Sequence, residues 1–580
     1  MTLTELTVRR RRGLSPRRHG LLVCAPFHST SNAPVGLAYL RAHLQERGIR
    51  TDLLDLNIDA RRALRSAVVP GVDDRERDVL VARLFLQSQR SYLGEVLTWA
   101  WHDGDGDGAA AIAKRIEAHP SSLVREFWSG IDIDGLVSDT PLRRVAAALQ
   151  AWFDEQVREV ARGPYDWVGF SLTISNVAAS LHAARLLRGA RPDLLIVLGG
   201  PHVSARTAEE LLRAAPWIDA AVPAPAYEAL EQLLSGTARG AAPPPGVWWR
   251  RGGGRAGLRP WGEAVIESGP SAGRVDMEAL PLADWSGLDL ALYDPAFDVS
   301  AARPGTKVTD RRTVALQTSR GCSYSKCEFC HNVVDYPRYL LQTPGRVVRE
   351  VRHQVATLGV TNVFFTDDEF NGSRRRMVEL GNSLGDNVPD IRFFAWLRLD
   401  KIDRAVLEAL YRGGCRQVFI GVEAVDDALL GSMTKGYSAA VALDRLRRLA
   451  EFAGEHSDFR YSFNLIVDHP HEQLDSVIAT FEAVCREPEL FVGHVAAFCR
   501  YHLYEGTPAF ARFGSDAIGV LEPLFPEGPP IDSFRYLTAA QDRPDRQERF
   551  ALWQAIEAIT CPDRAATTLS AAGPGPNIYD

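Results

Sequence analysis

Residues 313–332 read TVALQTSRGCSYSKCEFCHN, and this order of residue types decides how the rest of the chain is read. "TVAL" is a short apolar, β-branched run of the kind that forms a buried strand. A loop follows directly and carries Cys322, then Cys327 after four residues, then Cys330 after two. Three thiols so close together have metal-ligand spacing: zinc, with His331 as fourth ligand, or an iron–sulfur cluster. His331 adjoins Cys330, and adjacent residues rarely both turn in on one ion. No second ligand pair follows downstream. A [4Fe–4S] cluster normally takes four thiolates, so three leave one iron open to chelate a substrate or cofactor. The cluster is the favoured reading and zinc the alternative.

Working outward, the stretch 307–509 alternates strand-like and helix-like segments. "TVALQTS", "VTNVFFTDDEF", "IRFFAWLRLD", "CRQVFIGVEAV", "RYSFNLIV" and "HVAAFCRYHL" are separated by amphipathic runs such as "PGRVVREVRHQVATLG". About six such units predict a partial (β/α)6 TIM-like barrel with chemistry at the C-terminal ends of its strands. The cysteines lie in the loop after its first strand.

A second alternation occupies 19–242: "GLLVCAPF", "GLAYLRAHLQERG", "IRTDLLDLN", then "DWVGFSL", "NVAASLHAARLLRGA", "LLIVLGG". Continuous apolar strands separated by helices mean a parallel sheet covered on both faces. The chain is therefore α/β, with an N-terminal Rossmann-like parallel-sheet domain interrupted by a helical insertion at about 60–160. Residues 243–306 read as linker with a hairpin around the glycines of "VWWRRGGGRAGLRP". Residues 510–580 form a small C-terminal region, and 1–18 a disordered basic tail.

With a formal net charge of -7 the chain is a poor nucleic-acid binder by bulk charge. It lacks an apolar run long enough for a membrane span. Eight cysteines in 580 residues are too few for a disulfide scaffold. A reduced, cytoplasmic protein is expected. The basic residues are nearly all arginine; Lys114, Lys307, Lys326, Lys401 and Lys435 are the five lysines.

The motif "SRGCSYSKCEFC" after a first barrel strand resembles the radical SAM superfamily, whose open iron chelates S-adenosylmethionine (SAM). The family usually has three residues between the first two cysteines, whereas this chain has four. The resemblance implies that Cys322, Cys327 and Cys330 hold the cluster and that Phe329 packs near adenine. It also implies that Asp367, Asp368 and Glu369 of "FFTDDEFNG" are candidates to receive the SAM amino group. Arg398 matches a basic residue suited to a carboxylate, and Glu423 would hold the SAM ribose. "NLIVDHPHEQ" resembles a family turn that usually carries glycines, with Asp468 and His471 in the expected places.

The first domain lacks a dinucleotide fingerprint. "APFHSTSNAPVGLAYLRAHLQERG", "VGFSLTISN" and "LGGPHVS" instead resemble the cobalamin-binding domain of cobalamin-dependent radical SAM enzymes. Pro26, Asn32, Gly36, Ser171, Thr173, Gly199 and Gly200 match its corrin-contacting loops. The Asp-x-His-x-x-Gly motif that gives cobalt a histidine is absent, and His28 has other neighbours. Of a Gly-Glu-Gly-Glu-like stretch only Glu228 is retained.

The resemblance implies a [4Fe–4S] cluster, SAM and cobalamin, an external electron donor of flavodoxin or ferredoxin type, and a small-molecule or peptide substrate. It implies methyl transfer to an unactivated carbon, in natural-product or modified-peptide biosynthesis. One SAM methylates cobalamin, and a second becomes a 5'-deoxyadenosyl radical that abstracts hydrogen from the substrate. Cyclisation, ring contraction or epimerisation is the alternative outcome, and a non-catalytic cobalamin- or cluster-binding sensor the second alternative. No residue is singled out as a catalytic acid or base. Sulfur insertion is excluded, because only Cys24 precedes Cys322 and a second cluster has no ligands.

Overall fold

The computed structural model describes residues 19–28, 30–86, 93–103, 108–129, 132–173, 175–205, 207–235, 243–251, 265–270, 275–293, 313–336, 338–519 and 536–561. The basic tail at 1–18, the hairpin glycines at 252–254, and residues 520–535 and 562–580 of the C-terminal region lie outside them.

The first sheet holds β1 (His19–Cys24), β2 (Arg50–Asp55), β3 (Trp167–Ser171), β4 (Leu195–Gly199), β5 (Ala220–Ala221), β6 (Trp248–Arg251) and β7 (Val265–Ser268) in the order 2-1-3-4-5-6-7. Strands β1 to β5 run parallel, and β6 and β7 add an antiparallel hairpin at the edge. That hairpin belongs to the stretch read as linker, yet it continues the first sheet. The insertion contributes helices at Asp74–Leu86, Leu93–Asp103, Gly108–Ala118, Ser122–Ser129 and Pro141–Arg162. They share one apolar core with β1, β3 and β4.

The second sheet holds β8 (Thr313–Leu316), β11 (Asn362–Phe365), β12 (Arg392–Arg398), β13 (Cys415–Glu423), β14 (Arg460–Val467) and β15 (Val495–Arg500), all parallel and in chain order. It is a six-stranded open barrel. The helices outside it start where Thr343, Ser373, Asp403, Asp426 and Ser438 each accept a backbone N–H three residues on. Each such cap contributes about 1 kcal/mol, which is why these boundaries are sharp. A short antiparallel pair, β9 (Ser319–Arg320) with β10 (Leu340–Leu341), encloses the cysteine segment. A further pair, β16 (Ala517–Gly519) with β17 (Tyr536–Thr538), precedes the last described helix, Arg546–Thr560.

The two halves are packed together. Tyr39, on the helix Val35–Glu46 after β1, is buried in the barrel's core cluster. Arg320 donates to the Tyr227 hydroxyl at 3.3 Å. On the far side Glu126 of the insertion pairs with Arg546, and Phe127 meets His502 edge-on. The C-terminal segment straddles both domains: Leu537 lies in the first domain's core, while Trp553 and Ile556 lie in the barrel's.

Candidate active site at the mouth of the barrel

The loop after β8 is braced from below by three consecutive acids that follow β11. Asp367 is wholly buried and accepts from the backbone N–H groups of Thr318 and Ser319 at 2.6 and 2.9 Å, and from the Thr318 hydroxyl. Asp368 accepts the Gly321 N–H at 3.1 Å. Glu369, also wholly buried, accepts the Ser323 N–H at 2.6 Å and pairs with Lys401 at 2.9 Å. Each acid thus holds one step of the chain leading into and past Cys322. Asp368 differs from its neighbours in being exposed, yet surrounding protein desolvates it and raises its pKa to about 6. An accessible carboxylate that is still desolvated lines a cleft.

The later limb of the loop rests on β12 and on the turn after β13. Arg398 is buried, paired with Asp400 at 2.9 Å, and directs Nη1 to the Cys327 Sγ at 3.9 Å. Its guanidinium lies 4.1 Å from the centre of the Tyr324 ring, and Nη2 donates to the Lys435 carbonyl at 3.0 Å. Tyr324 donates to the Thr434 carbonyl at 2.8 Å, and the Glu328 N–H donates to the Met433 carbonyl at 3.1 Å. Glu423, at the end of β13 with φ of 68°, forms a buried ion pair with Lys435 at 2.9 Å. The Lys435 ammonium stands 5.8 Å from the Phe329 ring centre. Within the four-residue gap Ser325 takes a left-handed φ of 45°.

The thiols are free, Cys327 buried and Cys322 and Cys330 half-buried. Burial raises the pKa of Cys322, with Glu369 adding to it, and pushes Cys330 up to about 12. Cys322 and Cys330 therefore keep their protons until a metal displaces them. Among the described residues no three ligating side chains converge tightly enough for one metal ion. A zinc ion needs all its ligands about 2.3 Å or less away. A cubane spreads three thiolates over three irons, and three cysteines of one loop with no fourth beside them are the donor set of a cluster with one open iron. His331 packs on Tyr504 instead, ring centres 5.9 Å apart.

The remaining candidates lie at the C-terminal edge of the first sheet, on loops tied to one another. Asn176 donates to the carbonyls of Ala25 and Ser171 at 3.3 and 3.0 Å and accepts the Thr173 N–H at 2.8 Å. The Leu172 N–H donates to the Gly199 carbonyl at 2.7 Å. Gly200 has φ of 95°, and a Cβ there would stand 2.5 Å from the Leu172 carbonyl oxygen, so only glycine fits. Ser171, Thr173, Gly199 and Gly200 are half-buried, Pro26 is buried, and Gly36 is open with nothing within 4 Å of a built Cβ. The Asn32 Oδ1 is buried without a partner, which fits a ligand on this edge. Phe27 packs on Phe85, ring centres 5.0 Å apart, and against Gly94, so the insertion walls this loop.

Residues 316–484 match the radical SAM superfamily model, and residues 130–234 match the B12 binding domain model. The chain thus carries a radical SAM domain and a B12-binding domain. A radical SAM domain implies a [4Fe–4S] cluster and SAM, and a B12-binding domain implies cobalamin. Over 367 residues the chain is 23% identical to the uncharacterized methyltransferase PH0819 of Pyrococcus horikoshii, covering 63% of this chain and 71% of that one. The cobalamin-dependent SAM radical enzyme OxsB, solved with aqua-cobalamin and SAM bound, superposes with a TM-score of 0.58 at 12% identity. That match covers 93% of this chain but 66% of OxsB, less than two thirds of its length. The radical SAM methyltransferase TsrM of Kitasatospora setae, solved with tryptophan and a SAM analogue, gives 0.56 at 17% identity, covering 93% and 89%. These likenesses show the shared fold. Among the described residues no helix is long and apolar enough to cross a membrane.

The fold thus gathers Phe329, Asp367, Asp368, Glu369, Arg398 and Glu423 around the cysteine loop. It sets Pro26, Asn32, Gly36, Ser171, Thr173, Gly199 and Gly200 apart from them, on the first sheet's edge. Asp468 has φ of 62° and accepts from Arg500 at 3.1 Å. It thus adopts at the turn the conformation that favours glycine. His469 is wholly buried 3.7 Å from Glu328, and His471 faces Phe513, ring centres 5.2 Å apart. Sequence reasoning missed Lys401, Lys435 and Tyr324. A signal existed: three of the five lysines, Lys326, Lys401 and Lys435, surround the cysteine loop in a chain that otherwise uses arginine.

Proposed function

We propose that this protein is a cobalamin-dependent radical SAM methyltransferase that acts on an unactivated carbon of a small molecule or peptide. The observation that carries the reading is the braced three-cysteine loop at the barrel mouth, with Arg320 on its leading strand docked on Tyr227 of the B12-binding domain. When bound, the cluster supplies the electron that cleaves SAM, and the corrin carries the methyl group. The chain's own work is placement. Cys322, Cys327 and Cys330 hold the cluster, and Arg398 keeps positive charge beside the Cys327 sulfur. Asp367 and Glu369 fix the loop backbone, which leaves Asp368 as the acid with an accessible oxygen for the SAM amino group. Phe329 faces the adenine, and Glu423, aligned by Lys435, takes the ribose. Asn32, Ser171, Thr173, Gly199 and Gly200 hold the corrin, with Pro26 and Gly36 completing the loop. Methyl transfer is favoured over the other radical outcomes because the curated relative and TsrM are both called methyltransferases.

The test is iron and cobalt content after anaerobic reconstitution, followed by incubation of candidate substrates with methyl-labelled SAM. About four irons with one cobalt, and label transferred to carbon, support the proposal. Iron without cobalt points to cyclisation or epimerisation. Zinc in place of iron, or no 5'-deoxyadenosine, overturns it.

A further inference from the structure

We infer that Arg320 and Tyr227 form a carboxylate-binding site at the seam between the two domains, and that the methyl acceptor is a carboxylic acid held there. The inference rests on the methyltransferase reading above and adds the class of substrate. Arg320 closes β9, two residues before Cys322, and Tyr227 opens the first domain's helix Tyr227–Ser235. The Arg320 Nε donates to the Gln317 Oε1 at 2.9 Å, and Nη2 donates to the Tyr227 hydroxyl at 3.3 Å. The guanidinium lies 5.7 Å from the centre of the buried Tyr227 ring and 5.9 Å from that of Tyr336. Its backbone is fixed as well. A Cβ at Gly321, where φ is 75°, would stand 2.6 Å from the Arg338 carbonyl oxygen and 2.9 Å from that of Tyr336.

The charges around the loop single this arginine out. Arg398, Lys401, Lys435 and Arg512 are ion-paired with Asp400, Glu369, Glu423 and Glu328. Arg320 is half-buried, and among the described residues it makes no ion pair and its Nη1 has no hydrogen-bond partner. A cation drawn partly out of water is costly until an anion offsets it. Gln317 and Tyr227 take one N–H each, and the free edge at Nη1 presents the planar fork that matches a carboxylate. Among the described residues no second cation lies over either tyrosine ring, so one negative charge is matched, that of a carboxylate and not of a phosphate dianion. Position then chooses the substrate. The strand leading into the cysteine loop supplies the arginine, and the B12-binding domain supplies the tyrosine. A methyl acceptor that meets both cofactors has to enter between these domains, and a carboxylate gripped from both sides orients the carbon beside it.

The test is fluorine NMR of para-fluorobenzoate, with para-fluorobenzamide as its uncharged match, titrated into the reconstituted full-length protein with and without SAM. The benzoate should bind at least about tenfold more tightly than the amide, and SAM should leave its affinity unchanged. Arg320→Gln is expected to bring the benzoate down to the amide's affinity. Arg320→Lys, which keeps the charge but not the fork, restores part of the difference. Tyr227→Phe, outside the cysteine loop, should weaken the benzoate and spare the amide. Iron content and SAM affinity of Arg320→Gln, the latter by equilibrium dialysis, stay at the unsubstituted level. Benzoate affinity that is unchanged in both Arg320→Gln and Tyr227→Phe overturns the inference. Competition between benzoate and SAM, or a parallel loss of SAM affinity in Arg320→Gln, assigns the grip to the carboxylate of SAM and overturns the substrate class. A protein that takes up neither iron nor cobalt overturns the methyltransferase reading instead, a result separate from the benzoate comparison.

Discussion

Replacing Lys435 by methionine tests the electrostatics beneath the cysteine loop. Its ammonium is 2.9 Å from Glu423, and the two side chains are 7% and 6% exposed. With an effective dielectric near 20, that separation gives about 6 kcal/mol of attraction before desolvation is subtracted. Lys435→Met removes the cation and leaves the Glu423 carboxylate buried without its counter-charge, which costs about 3–5 kcal/mol. Truncation cannot be offset by Arg398, whose guanidinium is already engaged by Asp400, Tyr324 and the Lys435 carbonyl. The double variant Glu423→Gln/Lys435→Met removes both charges and should recover most of that loss, because no lone ion remains. Urea unfolding followed by tryptophan fluorescence reads the midpoints, with the m value checked for constancy. A single variant that loses less than about 1 kcal/mol, or a double variant no better than the single, would refute a strong buried pair.

Three further outcomes follow from the same geometry. Asp367→Ala strips an acceptor from two backbone N–H groups and one hydroxyl, at about 1–3 kcal/mol for each donor left unsatisfied; iron content after reconstitution should fall sharply even where the protein stays folded. Asp55 caps the helix Leu56–Ser66 and accepts the Tyr293 hydroxyl at 2.6 Å, and burial raises its pKa to about 6. The folded state then holds the proton more tightly than the unfolded chain, so this group's contribution is full below pH 4 and about 3 kcal/mol of it is lost as pH rises through 6. Asp55→Asn should remove that slope, measured as the difference between the two unfolding midpoints across pH 4–7. Gly200→Ala forces a Cβ to 2.5 Å from the Leu172 carbonyl oxygen at φ of 95°, which costs about 2 kcal/mol or more; cobalamin retained after gel filtration, read by its absorbance, should drop while iron content holds.

The strands and helices were legible because each buries a continuous apolar face whose period survives in the letters. "CRQVFIGVEAV" and the strand Cys415–Glu423 coincide nearly residue for residue, and caps such as Ser438 mark where helices begin. The three cysteines were legible for a different reason: ligand spacing is local, and one loop supplies all of them. The hairpin at β6–β7 was visible as a hairpin, but its membership of the first sheet depends on pairing with β5, a contact the letters do not carry.

The sequence by itself determined the two α/β halves, the position of the thiols after the first barrel strand, and the residue types that gather around them. Only the tertiary structure decided what each acid does. "DDE" at 367–369 is one run of three like residues, and the loop just past β11 turns Asp367 and Glu369 into buried braces while leaving Asp368 accessible. Partners separated by dozens of residues made that choice: Thr318, Ser319 and Gly321 for the acids, Lys401 for Glu369, Arg398 for Cys327. Burial and hydrogen bonding are set by which surfaces the chain closes together, and those contacts exist only once both barrel strands and the loops above them are in place.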